Sequence, residues 1–112
     1  MRTINIEIGM PNSEDAMNTL NNRIYAERAS RARCVKIIHG YGSTGKGGVL
    51  KRACRQKLMG YKRSGIIKGY CPGENFGPFS EEGRKLVEIC PEVRNDLDWG
   101  RENSGVTIVI FR

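Results

Sequence analysis

The chain is short of histidine and of clustered cysteine: His39 stands alone, and Cys34, Cys54, Cys71 and Cys90 lie far apart with no Cys-x-x-Cys pair. That spacing argues against a zinc site, and without a secretory leader the thiols are expected to be reduced, with Cys54 and Cys90 on the apolar faces of helices. Long apolar runs are missing too. Nothing approaches the ~18–20 residues of a membrane span, and Met1-Arg2-Thr3-Ile4-Asn5-Ile6-Glu7 lacks the apolar block of a signal peptide, so a cytoplasmic protein with no membrane association is expected. Internal repeats and low-complexity tracts are absent as well.

Acidic residues are scarce in one part of the chain only. Residues 1–68 hold 14 basic and 4 acidic side chains (+10), whereas residues 69–112 hold 5 and 8 (−3), which together give the net +7. A concentrated basic surface attracts polyanions by Coulomb steering and counterion release, which makes nucleic acid, DNA or RNA, the leading partner class. A ribosomal or acidic protein surface is the alternative partner. At 112 residues, 38% of them hydrophobic, the chain has the size of a single domain spanning 1–112.

Apolar periodicity orders the elements. Thr3 to Ile8 alternates as a strand does, Gly9 to Ser13 breaks it, and Asn12 or Ser13 is placed to cap a helix carrying Met17, Leu20 and Ile24 on one face. Cys34-Val35-Lys36-Ile37-Ile38-His39 reads as a buried strand. A glycine-rich loop, Gly40 to Gly48, leads into a second helix with Leu50, Ala53, Cys54 and Leu58 inward and with Lys51, Arg52 and Arg55 largely off that stripe. Ile66-Ile67-Lys68 predicts a third strand, and Gly69 to Pro78 a turn-rich stretch. Ser80 is placed to cap a helix with Leu86, Val87 and Cys90 inward, ended by Pro91, and Val106 to Phe111 predicts a central strand buried on both faces. The order β-α-β-α-β-α-β predicts an α/β (α+β two-layer) domain with a four-stranded mixed sheet.

Three readings compete for the loop. Gly40 to Lys46 fits G-x-x-x-x-G-K, the start of a nucleotide-binding P-loop, but Gly47 stands where that motif needs a Ser or Thr for magnesium. A second reading is structural, since glycine permits a tight strand-to-helix turn. The third is a cradle for backbone phosphates, because five glycines beside Lys46 at a helix N-terminus expose N–H groups where the helix dipole favours an anion.

Val35-Lys36-Ile37-Ile38-His39-Gly40-Tyr41-Gly42, followed by Gly48-Val49-Leu50-Lys51-Arg52, resembles the His-Gly-x-Gly signature and following helix of the Smr (small MutS-related) domain family. Ile6-Glu7-Ile8-Gly9 to Glu14-Asp15-Ala16 is similar in spacing to that family's first motif, Leu-Asp-x-His or Leu-Asp-x-Arg before Glu-Glu-Ala. Asn103-Ser104-Gly105-Val106-Thr107-Ile108-Val109 is similar to its closing Gly-x-Gly and strand. The resemblance leaves out roughly 69–101, where an insertion with the third helix is expected. It implies a core similar to the C-terminal domain of translation initiation factor three, nucleic-acid binding and, in several members, nicking endonuclease activity. His39, Gly40 and Gly42 match the second motif; in the first, Glu7 stands for Asp and Gly9 for His or Arg.

The candidate nucleic-acid contacts are therefore Gly40, Tyr41, Gly42, Lys46, Lys51, Arg52 and Arg55, with Arg28, Arg31 and Arg33 as outlying backbone contacts. If the chain cleaves phosphodiesters, His39 is the candidate acid or base, with Glu7 orienting water or a divalent metal, Mg or Mn. The competing role for His39 is a hydrogen-bonded prop for the glycine turn. No constitutive metal site is expected.

Overall fold

The computed structural model describes residues 1–9, 11–40 and 47–112. Strands β1 (Arg2–Asn5), β2 (Cys34–Ile38), β3 (Gly69–Pro72) and β4 (Val106–Ile110) alternate with helices α1 (Ser13–Ala29), α2 (Gly47–Arg63) and α3 (Glu81–Ile89). Across the sheet the order is β1-β2-β4-β3. β1 runs parallel to β2, and β4 runs antiparallel to both β2 and β3. The last strand in the chain thus lies between two earlier ones, and that central position is why Val106 to Val109 are all buried.

Alternating side chains give the sheet two apolar faces. Val35 and Ile37 of β2, Ile4 of β1 and Val109 of β4 meet Leu20 and Ile24 of α1 and Leu50, Cys54 and Leu58 of α2. On the other face Cys34, Cys71 and Ile108 meet Leu86, Cys90, Val93 and Phe76. Each such buried aliphatic or aromatic side chain contributes about 1.5–3 kcal/mol, so α1 and α2 on one face supply the larger part of the core. All four cysteines are free, buried thiols in these layers. Among the described residues no helix is long and apolar enough to cross a membrane.

The helix starts follow their caps. The Asn12 side chain accepts from the Asp15 N–H at 2.8 Å, and the Ser80 hydroxyl accepts from the Gly83 N–H at 2.8 Å. Pro91 ends α3 and opens a 3-10 turn over Pro91–Asn95. Lys36, the one charged residue in β2, is buried on the α3 side, where its ammonium donates to Asp98 Oδ2 at 2.8 Å and Asp96 Oδ1 at 3.0 Å. Burial opposes its charge, but the two carboxylates outweigh burial and raise its pKa. This pairing ties the segment before β4 to the middle of the sheet.

Two strand boundaries differ from the sequence expectation. The β1 ladder ends at Asn5, with one more bond from Ile6 N–H to the Ile38 carbonyl; Ile8 is 74% exposed and Gly9 turns the chain at φ +79°. The third strand lies at Gly69–Pro72 instead of Ile66-Ile67-Lys68. Ile67 is buried as its apolarity predicts, but the N–H groups of Ile66 and Ile67 both turn back to the Tyr61 carbonyl and close α2. Apolar periodicity locates a core contact, and here helix capping claims the backbone first.

Candidate nucleic-acid interface

Because β3 is antiparallel to β4, it runs the same way as β1 and β2, and all three end at one edge of the sheet. In open α/β sheets this carboxyl edge is where ligands bind. Here it carries Glu7 after β1, His39 and Gly40 after β2, Glu74 after β3, Gly105 before β4 and the start of α2. Glu7 is exposed, and its own N–H is held by Asn5 Oδ1 at 3.0 Å.

His39 is fully buried. Its Nδ1 lies 2.8 Å from the Gly40 carbonyl, which only accepts, so Nδ1 carries the proton. Nε2, 2.8 Å from Thr107 Oγ1, then accepts from the hydroxyl. Burial, reinforced by the nearby Arg55 and Lys51 charges, lowers its pKa from 6.5 to about 4, so the ring is neutral at pH 7. The backbone N–H groups of His39 and Gly40 both donate to the Gly105 carbonyl at 3.0 Å. Gly40 has φ +75°, a conformation that favours glycine, which accounts physically for a His-Gly pair at this turn.

Of the contact residues foreseen here, Tyr41, Gly42 and Lys46 lie outside the described residues. Arg52 is exposed. Lys51 and Arg55, which lie off the apolar stripe as expected, converge on Glu74: Arg55 donates to Oε1 at 2.8 Å and Lys51 lies 3.8 Å from Oε2. Burial opposes the Glu74 charge, but a backbone N–H and the Arg55 and Lys51 cations hold its carboxyl below the usual range. Among the described residues Arg55 Nε is buried without a hydrogen-bond partner. Arg28, Arg31 and Arg33 are not part of this site. They lie at the opposite edge, where Cys34 pairs with Ile110.

Sequence reasoning missed Glu74, Thr107 and the Gly105 carbonyl. A signal existed for Thr107, the one hydroxyl in the apolar run Val106 to Phe111, since a buried hydroxyl needs a partner. None existed for Glu74, whose partners precede it by some twenty residues.

A family model of the Smr domain matches residues 8–77. The chain belongs to the Smr domain family. The matched stretch contains the His39-Gly40 turn, all of α2 and Glu74, while Gly105 and Thr107, which close the turn, lie beyond it. The fold agrees with the solved Smr domain of Thermus thermophilus MutS2, at a TM-score of 0.62 and 19% identity, over 100% of this chain and 99% of that one. No curated protein sequence matches the chain.

Proposed function

We propose that this Smr domain binds nucleic acid by its backbone phosphates at the carboxyl edge of the sheet. The observation that carries the reading is the locked turn: His39 and Gly40 are held on Gly105 and Thr107 at the edge where α2, with Lys51, Arg52 and Arg55 in its first turns, begins. Gly40, Tyr41, Gly42 and Lys46 then serve as loop contacts and Arg52 as the exposed helical contact, while a phosphate competes with Glu74 for Lys51 and Arg55. His39 is a positioning residue in this reading. Phosphate contacts set affinity without reading bases, so sequence preference is low and affinity falls steeply with salt. Titration of labelled DNA and RNA oligonucleotides at ~50 mM salt and above tests it; absent binding, or binding insensitive to salt, overturns it.

Phosphodiester nicking is the second reading, favoured by the placement of Glu7 and His39 at one edge and by the nicking activity known among Smr domains. Among the described residues no three carboxylate, thiol or imidazole donors come together as an all-protein metal cage. For His39 to take a proton, the Thr107 hydroxyl has to release Nε2. Relaxation of supercoiled plasmid with divalent metal or with EDTA tests the reading, and equal nicking by a folded His39→Gln variant removes it. Partner binding that survives nuclease treatment would favour a ribosomal or acidic protein surface instead.

A further inference from the structure

The edge opposite the glycine turn carries a cleft of about 490 Å³ between the end of α1 and the end of β4, lined by Tyr25, Arg28, Ala29, Arg31, Phe111 and Arg112. Among the described residues Arg28, Arg31 and Arg112 make no ion pair or side-chain hydrogen bond, unlike Lys51 and Arg55 at the other edge. Two acids lie near. Glu27 is buried, with Oε1 on Arg2 and Arg23 and Oε2 without a hydrogen-bond partner among the described residues, and Glu92 sits by Arg33 on the α3 side. Tyr25 is 45% exposed, and its ring meets that of Tyr61 edge-on at 6.4 Å.

The end of α1 adds an independent observation. Ala32 N–H bonds the Glu27 carbonyl and Arg31 N–H the Arg28 carbonyl, a Schellman closure with Arg31 in the left-handed position at φ +63°. The end of α2 has the same closure, Ile66 N–H to Tyr61 and Gly65 N–H to Lys62, and there the position is Gly65 at φ +79°. Glycine is the usual occupant because a side chain is strained at such φ. Attraction of cations to a helix C-terminus accounts for Arg28, but not for an arginine at the strained position nor for Arg112 on another element.

We propose that this cleft is a second nucleic-acid site, which takes one nucleotide of a single strand, with the phosphate on the Arg28, Arg31 and Arg112 guanidiniums and the base stacked on Tyr25. Three unpaired guanidiniums match a phosphate, an exposed ring matches an unpaired base, and the volume falls within the ~300–1,000 Å³ of small-ligand sites. The partner class is that of the carboxyl edge, but the site does not depend on it. With sites at both edges, one domain holds two strands.

The test compares wild type, the Arg28→Ala/Arg31→Gly double variant and Arg52→Ala, titrated with labelled single-stranded oligothymidylate, oligouridylate and a hairpin duplex. The double variant is expected to lose about tenfold in single-strand affinity at ~50 mM salt, and its log–log salt slope to fall by about 0.7, the value for one phosphate no longer neutralised. Its midpoint of thermal unfolding should not fall, because glycine fits position 31, so misfolding would not explain the loss. Oligothymidylate bearing 5-iodouracil should photo-cross-link to Tyr25. The two nucleotide types separate DNA from RNA. Unchanged affinity and slope in the double variant, with cross-links confined to residues 41–58, overturns the second site; an accompanying loss in Arg52→Ala leaves the carboxyl-edge reading standing. Loss in the double variant alone supports the cleft against the carboxyl edge, and no binding by wild type overturns both.

Discussion

The two edges of the sheet both carry basic residues, yet they differ in how those residues are held. At the carboxyl edge Lys51 and Arg55 share the Glu74 carboxylate, and His39 is neutral and enclosed. At the opposite edge Arg28, Arg31 and Arg112 stand without a carboxylate partner among the described residues, and Lys62 and Arg63 end α2 nearby. Formal charge counts these groups alike, but a paired cation offers an incoming phosphate only what remains after its own carboxylate is displaced. In the proposed readings the carboxyl edge makes a positioned, competitive contact and the opposite edge an open electrostatic one.

The largest expected effect tests the claim that the His39 ring at the carboxyl edge is enclosed and neutral. Above pH 6.5 His39 is neutral folded or unfolded. As pH falls toward 4 the unfolded chain binds a proton that the folded ring refuses, so stability falls by roughly 3 kcal/mol across that window. Urea unfolding at a series of pH values measures it. His39→Ala strands the Thr107 hydroxyl and Gly40 carbonyl and opens a cavity, so it should lower stability by about 3 kcal/mol at pH 7 and flatten the dependence on acid between pH 6.5 and 4. An unchanged slope in that variant would show that the histidine does not govern it.

This contrast was only half legible in the residues. The order of strands and helices, the caps at Asn12 and Ser80, the stop at Pro91 and the apolar β4 were readable because each rests on neighbours within a turn or on local periodicity. His39 and Gly40 were readable as a motif, but not their enclosure, since Thr107 lies in β4, 68 residues later, and Gly105 just before that strand. Glu74 follows a strand whose start was expected three residues early, and nothing local joins it to α2. Sequence charge gave the basic region, whereas pairing, which depends on topology, divided it between two edges.

A smaller effect would make the first edge resemble the second. Glu74→Gln keeps the side-chain shape and removes the charge that Lys51 and Arg55 share, so nucleic-acid affinity at ~50 mM salt should rise by about three- to tenfold. Two freed cations should also steepen the salt dependence, by about 0.7–0.9 in slope for each phosphate newly engaged. Fluorescence anisotropy at several salt concentrations reads both. If affinity is unchanged or falls, Glu74 orients the two cations for the ligand and does not compete with it.

The smallest effect separates charge from backbone at the opposite edge. Arg31 and Gly65 occupy equivalent left-handed positions after Ser30 and Ser64, and a Cβ at Gly65 would meet nothing within 4 Å. Exchanging their identities therefore probes φ with little change in packing. Arg31→Gly should stabilise the domain by about 0.5–1 kcal/mol, because relief of the left-handed strain exceeds the added entropy of an unfolded glycine. Gly65→Arg should destabilise it by a similar amount, and with both changes together the effects should cancel, since the two turns share no partner. Urea midpoints at constant m-value would show this pattern. A loss of stability in Arg31→Gly would mean that the guanidinium supports the fold, and the strain at position 31 would then need no ligand to explain it.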